Sequence, residues 1–230
     1  MLKRILGLVV LLGVLAPAAM AQGLRGETPY RMTLLRAAPG RLLDLVGALK
    51  AKAAAAAPRP LLLRHAQGDH WDLMLLQPTA GYAQTLTGER PAALASAELI
   101  AWQEDEFVRG PDIDALPGFR DANLYHAEMF HALAEKRAEL LKEREMENAY
   151  AGALGRPQTA IFVRELGASW DSFTLGAYKG WKHYAERDDI PKEKAAMAAK
   201  AAGFPDVDQI GPYLRSLILD HQDSLLTPVR

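Results

Sequence analysis

Two polar side chains, His126 and Glu128, stand two positions apart in a segment whose alternation of residue types is typical of a β-strand. Residues two apart on a strand point to the same side of a sheet, so the imidazole and the carboxyl group would lie next to each other. Such a pair can transfer a proton near neutral pH, because histidine titrates there. We therefore expect His126 and Glu128 to form the polar centre of a binding site or the acid–base pair of an enzyme.

A second strand of the same type is expected to add Arg31 and Thr33 to this centre. In both strands the intervening residues are apolar and suit the side of a sheet that helices cover, so the polar sets would face the space between two sheets. Four buried polar groups imply a hydrogen-bonded network, a wet cavity or a ligand. The alternative is a solvated sheet rim or a structural ion pair with Arg31. The side chains that we expect around a ligand are Arg31, Thr33, Trp71, Phe130, Arg164 and Trp170.

The histidines do not predict a metal centre. His126, Glu128 and His131 have the spacing H-x-E-x-x-H, whereas the helical zinc motif places its histidines four residues apart. Two other histidines, His183 and His221, could serve as axial ligands of a haem group, although an isolated histidine is more often a surface or capping residue. The chain has no cysteine, and it contains neither a G-x-S-x-G nucleophile motif nor a glycine-rich phosphate loop. The sequence therefore leaves the cofactor open, with haem as one candidate.

An internal duplication determines which elements position these residues. A G-x-x-W-D motif occurs at Gly68–Asp72 and again, 99 residues later, at Gly167–Asp171. Neighbouring segments match in the same order, with offsets that grow along the chain: Arg59 with Arg156, Tyr30 with Tyr125, and Asp105 with Asp223. The growing offset predicts an insertion of about nineteen residues in the second half, at 185–203.

The repeated motif is expected to stabilise a β-hairpin in each half. Glycine permits the positive φ of a tight turn, tryptophan supplies a large apolar contact, and aspartate can accept hydrogen bonds from turn amides. The alternative is that Trp71 or Trp170 lines a cavity.

Each half predicts the order strand, helix, strand, strand, helix, strand. In the first half the strands are expected at 30–36, 61–65, 71–77 and 106–109, and the helices at 41–56 and 91–103. In the second half the strands are expected at 123–130, 159–165, 170–175 and 224–229, and the helices at 133–154 and 208–219. The charged segment 135–147 is expected to be a solvated helix face.

The order β-α-β-β-α-β is that of the ferredoxin-like plait, in which both helices cover one face of the sheet. The other face needs a cover too, since residues 73–76 are four consecutive apolar residues. On these grounds the chain resembles the dimeric α+β barrel superfamily in its fused form. The resemblance implies an α+β fold of two tandem ferredoxin-like repeats, 28–110 and 123–230, joined by a linker at 111–122 and packed sheet to sheet as an intramolecular α+β barrel. It also implies an interior that takes small ligands, including haem or oxidisable aromatic molecules.

The first 21 residues predict a cleaved signal peptide. Lys3 and Arg4 precede an apolar run at 5–15, which is too short to span a bilayer, and residues 19–21 have the small-x-small cleavage pattern. No later run has membrane length, so we expect a periplasmic or secreted protein without a membrane span after cleavage. Cleavage leaves 25 basic and 28 acidic side chains, a net charge of −3, which does not suggest a nucleic-acid partner.

Three classes of function follow from the sequence. The main hypothesis is an exported protein that binds a small, partly apolar ligand in a cavity between the two repeats. The alternatives are a haem-dependent or cofactor-free oxidoreductase, of monooxygenase or peroxidase type, that uses His126 with Glu128, and a scaffold with a packed interior. The sequence does not choose between an enzyme and a binding protein. A fused barrel needs no partner chain, but an exposed sheet edge could support a homodimer.

Overall fold

The computed structural model describes residues 24–67, 70–81, 83, 87 and 93–230. Three expectations lie wholly or partly outside these ranges: the signal peptide at 1–21, the turn residues 68 and 69 of the first G-x-x-W-D motif, and the start of the helix expected at 91–103. Within the described ranges, no helix combines the length and the apolar character needed to cross a membrane.

Each half of the chain contributes four strands. The elements of the first half are β1 (Thr28–Ala37), α1 (Leu42–Ala55), β2 (Leu61–Gln67), β3 (Leu73–Pro78) and β4 (Ile100–Gly110). Those of the second half are β5 (Leu124–Ala132), α2 (Arg137–Ala153), β6 (Thr159–Leu166), β7 (Ser172–Tyr178), α3 (Trp181–Ala185), α4 (Lys192–Ala201), α5 (Ile210–Arg215) and β8 (Ile218–Pro228). Short 3₁₀ turns lie at Ala97–Leu99, Glu186–Asp189 and Val207–Gln209. Helix α4 lies within the predicted insertion.

The last strand of each half begins earlier than expected. Strand β4 begins at Ile100, within the helix predicted at 91–103, and β8 begins at Ile218, within the helix predicted at 208–219. Both strands extend because each pairs with the first strand of its own half along almost its whole length. Interstrand pairing thus overrides the local helix preference of these segments.

The described strands close into one antiparallel barrel in the order β1-β3-β2-β8-β5-β7-β6-β4. Within each half the order, β4-β1-β3-β2 or β8-β5-β7-β6, is that of the ferredoxin-like plait. The two plaits join at both edges, where β2 pairs with β8 and β4 pairs with β6. Closure leaves none of these strands with an open edge. The predicted fold class, two tandem ferredoxin-like repeats in one α+β barrel, is confirmed.

The interior of the barrel is lined mainly by apolar side chains, and it also holds the buried carboxyl group of Glu106, which faces Met32 across β4 and β1. An eight-stranded barrel has an interior just wide enough for side chains to fill. Apolar side chains of the described residues pack together in the space in which the sequence predicted a ligand chamber. Both halves contribute large buried side chains to this core: Tyr30, Met32, Trp71, Met74, Tyr125, Phe162, Trp170 and Phe173.

The expected orientation of β1 and β5 is wrong. Tyr125 and Ala127 point into the barrel, whereas His126 and Glu128 lie on the outer face, where Glu128 contacts helix α2. The interior is enclosed by sheet on every side and is the driest environment in the molecule, so it takes the wholly apolar set. Helices cover the outer face only in part, and polar side chains there reach water at the helix edge.

Helix α2 is also less solvated than expected. It packs on the second half through Leu140, which contacts Phe130 of β5. Glu143 and Arg144, both within the segment expected to be a solvated face, are buried against the sheet. The charges on this side of α2 therefore form part of a buried polar layer.

The connection between the halves closes one end of the barrel. The hydroxyl group of Tyr30 donates to the carbonyl oxygen of Pro111 over 2.7 Å, and that of Tyr125 donates to the carbonyl oxygen of Phe119 over 2.5 Å. The two tyrosines occupy matching positions of the duplication, so both repeats anchor the segment 111–122 in the same way.

Candidate functional site

A cleft of about 660 Å³ opens on the outer face of the second half, between helix α2 and strands β5 and β8. Its walls combine aromatic rings with acidic side chains. A neighbouring space of about 320 Å³ extends it past Leu154, Arg156 and Ile190. The main cleft is lined by His126, Glu128, Glu147, Asn148, Tyr150, Ala151, Pro157, Thr159, Tyr178, Tyr184, Asp223 and Leu225.

His126 is held by a carboxylate. Its Nε2 lies 2.7 Å from Oδ1 of Asp223. An ionised carboxylate only accepts hydrogen bonds, so Nε2 carries a proton, and Nδ1 is the ring nitrogen left to exchange one. This hydrogen bond from His126 holds the pKa of Asp223 below its usual range, against the opposing effect of burial. Nδ1 is therefore the basic atom that His126 can offer to a molecule in the cleft.

His221 is the second histidine at Asp223. Its Nε2 lies 3.2 Å from Oδ2 of Asp223 and 3.6 Å from Oε1 of Glu128, and its Nδ1 lies 2.6 Å from Nη1 of Arg215. Because a guanidinium only donates, Nδ1 must accept and Nε2 must carry the proton. Burial lowers the pKa of His221, and Arg215 adds to this effect. His221 is thus a neutral ring that lies beside both carboxylates.

Glu128 lies over a buried arginine. Its Oε2 is 3.3 Å from Nη1 of Arg144. The same Nη1 lies 2.9 Å from Glu147, and Nε of Arg144 donates to Glu143 over 2.6 Å. Burial raises the pKa of Glu128 to about 7, although Arg144 acts in the opposite direction. Burial likewise raises the pKa of Glu143. Three carboxyl groups therefore share one guanidinium, and Glu128 can change its charge near neutral pH.

The first half carries a different cluster at the same positions of its sheet. Thr33 faces Asp105 across β1 and β4, as Glu128 faces Asp223 across β5 and β8. Asp105 there accepts two hydrogen bonds from the guanidinium of Arg31, at 2.9 and 2.8 Å, and others from Thr33 and Gln103. The matching pairs are Arg31 and His126, Thr33 and Glu128, Gln103 and His221, Asp105 and Asp223.

Arg31 and Thr33 consequently do not join His126 and Glu128, contrary to the expectation from the sequence. The alternative of an ion pair between the His126 centre and Arg31 is also wrong, since the guanidinium of Arg31 binds Asp105 of its own half. The physical reason is the outward orientation of both polar sets, which places the two clusters on separate halves of the barrel surface.

The repeated G-x-x-W-D motif has a structural role in each half. Oδ2 of Asp72 accepts the amide of Ala37 over 2.8 Å, and Oδ2 of Asp171 accepts the amide of Ala132 over 2.9 Å. Each aspartate thus joins its hairpin to the end of the first strand of the same half. The two tryptophans, Trp71 and Trp170, are buried in the barrel interior and do not line the cleft.

Two further predicted ligand residues also lie outside the cleft. Nη1 of Arg164 donates to the carbonyl oxygen of Ala168 over 2.7 Å, and Nη2 donates to Asp171 over 3.0 Å, so this guanidinium holds the hairpin between β6 and β7. Phe130 is buried beneath α2, where its ring stacks with that of His221 at 6.0 Å. Phe130 supports the site from behind.

Three tyrosines that the sequence did not single out form the aromatic wall. The ring of Tyr184 lies 5.6 Å from that of His126 and 5.0 Å from that of Tyr178, and Tyr150 of α2 lies on the same cleft. Gly176 makes room for Tyr178, because a Cβ atom there would come within 2.9 Å of its ring. Asp223 could have been found from its match with Asp105, whereas Tyr184 lies just before the insertion and gave no sequence signal.

The described side chains of this site do not suit a metal ion as they are arranged. Ligand atoms of Glu128, His221 and Asp223 lie within 4.8 Å of one another. Nδ1 of His221 accepts from Arg215, however, so Nε2 carries a proton and has no lone pair for a metal.

Haem finds one suitable ring nitrogen here, Nδ1 of His126. Nδ1 of His183 accepts the amide of Lys179, and both nitrogens of His221 are engaged. Among the residues that line the main cleft there is no lysine or arginine to pair with the propionate groups of a haem.

Comparison with known proteins identifies the fold. No protein-family profile and no curated protein sequence matches the chain. Among solved structures, an anthrone oxidase-like protein superposes with a TM-score of 0.57 at 11% identity, over 89% of this chain and 92% of the other. A protein named as a chlorite dismutase superposes with a TM-score of 0.52 at 9% identity, over 89% of this chain and 96% of the other. A protein named as a monooxygenase, from Lactobacillus acidophilus NCFM, superposes with a TM-score of 0.51 at 8% identity, over 89% of this chain and 95% of the other. The chain thus has the fold of the dimeric α+β barrel proteins, with two ferredoxin-like repeats in one chain.

Proposed function

We propose that this protein is an oxidoreductase of monooxygenase type that binds a small aromatic molecule in the outer cleft and needs no bound cofactor. One observation carries the proposal: His126, oriented by Asp223 through Nε2, lies in a cleft with tyrosine walls. A carboxylate that fixes the tautomer of an imidazole is a recurring arrangement for a general base. The ligand-binding hypothesis therefore moves from the barrel interior to this cleft.

In the proposed reaction Nδ1 of His126 takes a proton from an acidic C–H group of the substrate, and Asp223 stabilises the imidazolium that forms. Dioxygen then oxidises the substrate carbanion. For an aromatic ketone with a CH₂ group, the carbon gains one oxygen atom as a carbonyl, and its two hydrogens leave with the other oxygen as water. The substrate loses four electrons and dioxygen gains four.

The names of two structural neighbours, an anthrone oxidase-like protein and a monooxygenase, support this reaction class. An anthrone has the kind of activated CH₂ group that the step requires. The tyrosine rings Tyr150, Tyr178 and Tyr184 offer stacking surfaces for such a flat molecule.

The test is oxygen uptake by the purified protein with anthrone, followed together with the absorbance of the product. H126A should lower the initial rate by about 10²- to 10⁴-fold. H131A is the matched control, since His131 lies on the same strand and pairs with Asp220 outside the cleft. Equal rates in the wild type and H126A would overturn the role of His126. Absence of uptake above buffer with any activated aromatic ketone would overturn the reaction class.

The second version of this proposal is a haem-dependent oxidoreductase, favoured by Nδ1 of His126 in the cleft. An absorption spectrum of the protein with added haemin distinguishes the two versions. The cofactor-free version predicts that the wild type and H126A give the same absorption spectrum in the Soret region. A Soret band that H126A abolishes would replace it with a haem enzyme.

We also propose that the chain is exported to the periplasm or secreted, because residues 1–21 have the three regions of a signal peptide. Intact mass measurement after expression in a bacterium should give a mature protein that begins at Gln22. A full-length protein that begins at Met1 and stays in the cytoplasm would contradict export.

A further inference from the structure

The outer cleft has an excess of negative charge. Three acidic side chains line the main cleft, Glu128, Glu147 and Asp223. Arg156, which lines the neighbouring space, donates to the carbonyl oxygens of His183 and Tyr184 and lies 3.8 Å from Glu186. The side chain of Glu147 is 37% exposed and that of Asp223 is 52% exposed, so both can reach a molecule in the cleft. Coulomb attraction at such a partly buried site is stronger than in bulk water.

The buried arginine beneath the cleft does not neutralise this charge. Arg144 is 2% exposed and interacts with Glu128, Glu143 and Glu147 together. When all three are ionised, one positive charge faces three negative ones. Asp223 accepts a hydrogen bond from His126, whereas His221 lies 3.2 Å from its other oxygen and is held neutral beside Arg215.

The first half of the barrel binds a guanidinium group at the position that corresponds to this cleft. In the first half the guanidinium of Arg31 lies on Asp105, with its Nη2 2.8 Å from Oδ2. In the second half the matching position holds His126, which donates to Asp223 through a single ring nitrogen. The sheet geometry that binds the guanidinium of Arg31 in one repeat is thus retained in the other, where no guanidinium takes that position.

The aromatic wall suits a cation as well. The faces of tyrosine rings attract ammonium groups, most strongly where water is excluded. Tyr178 and Tyr184 meet edge to face at 5.0 Å, and Tyr150 lies across the cleft on α2. Aromatic rings and carboxylates around one space are the combination that recognises a protonated amine attached to a flat apolar group.

We infer that the cleft selects aromatic molecules that carry a protonated amine, with the ammonium group between Glu147 and Asp223 and the ring against the tyrosines. This inference rests on the proposed function, since it names the substrate class of the same cleft. Neutral aromatic molecules of the same shape bind more weakly, and anionic ones bind least.

The experiment compares three ligands of similar shape by calorimetry at pH 8: tyramine, 4-ethylphenol and 3-(4-hydroxyphenyl)propionate. The wild type should bind tyramine at least about tenfold more tightly than 4-ethylphenol. This difference corresponds to the free energy of one hydrogen bond to a charged group. The propionate should bind most weakly. Equal affinities for tyramine and 4-ethylphenol, or tightest binding of the propionate, would overturn the inference.

A pair of variants assigns the effect to the cleft. E147Q should weaken tyramine binding by about fivefold to tenfold and leave 4-ethylphenol unchanged. E139Q is the control, because Glu139 lies on the same helix but pairs with Lys136 at the surface. An equal loss in E139Q would show that selection comes from the general charge of the protein, and would overturn the assignment.

The outcome is distinguishable from that of the proposed function. If tyramine binds selectively and no aromatic ketone supports oxygen uptake, the monooxygenase proposal fails and the amine selection stands. If uptake depends on His126 while amine-bearing and neutral substrates react and bind alike, the amine selection fails and the monooxygenase proposal stands.

Discussion

Asp223 is the structural counterpart of Asp105, 118 residues earlier in the chain, yet the two carboxylates have different partners. Asp105 accepts both hydrogen bonds of a guanidinium fork from Arg31, and Asp223 accepts one from the ring of His126. The first arrangement is a saturated structural ion pair. The second engages one ring nitrogen of the histidine and lies beside a cleft, so one repeat stabilises the barrel surface and the other can do chemistry there.

This relationship predicts the result of exchanging the two clusters. H126R/E128T/H221Q places the first-half side chains at the second-half positions. We expect a folded protein, with an unfolding free energy within about 2 kcal/mol of the wild type, because the first half already accommodates this set. Oxygen uptake and tyramine selectivity should both be lost. Urea unfolding with calorimetry checks this, and a variant that keeps its tyramine selectivity would contradict the role of the cluster.

Tyramine binding should strengthen as the pH rises through 7. The pKa of Glu128 is raised to about 7 by burial, so the carboxyl group is neutral below that pH and attracts an ammonium group only above it. The charged or titratable groups that face it are Arg144, Glu147, His126, His221 and Asp223. Calorimetry at pH 6 and pH 8 measures the change, which E128Q should abolish. A rise of the same size in E128Q would assign it to another group.

A second buried carboxyl group, Glu106 of β4, should make the stability of the barrel depend on pH. Burial, with a smaller effect of Glu104, raises the pKa of Glu106 to about 8. The folded state then holds its proton more tightly than the unfolded state, in which the pKa is near the usual 4.5. Stability is therefore greatest below pH 4.5 as far as this group is concerned, and it is lost as the pH rises from there through 8.

The measurement for Glu106 is urea unfolding at pH 5.5 and pH 9, in the wild type and in E106Q. Between pH 5.5 and pH 9 the unfolding free energy of the wild type should fall by several kcal/mol more than that of E106Q. The amide of E106Q stays neutral at both, so its stability should change less. The same loss in both proteins would show that Glu106 does not carry the effect.

The repeated motif should matter for folding in both halves. D72A and D171A each remove the acceptor for one backbone amide at the end of a first strand, at Ala37 and Ala132. Each substitution should lower the unfolding free energy by about 1–3 kcal/mol, the range for a buried donor left without a partner. D171A should be the more severe, since it also leaves Arg164 without its carboxylate. Denaturant unfolding checks both values, and an unchanged D72A would contradict the structural role of the motif.

Local patterns were sufficient for the order of the strands and for the duplication. Alternation marked the strands, and the recurrence of G-x-x-W-D aligned the two halves before any contact was known. They also placed His126 and Glu128 on one side of a strand, which period-two geometry requires. They failed at β4 and β8, whose first residues were expected to be helical, because pairing with distant strands determines where those elements begin.

Alternation along a strand separates two faces but does not say which of them is inside. That choice depends on which face meets the driest environment, and in a closed barrel this is the interior shared by both halves, formed by contacts between residues about a hundred positions apart. The same closure brought Asp223 and Tyr184 to His126 and kept Arg31 with Asp105. Local periodicity along the chain therefore specifies the repeats and the positions of the polar residues. Long-range packing determines which of these residues form the site, and a short stretch of sequence does not contain that information.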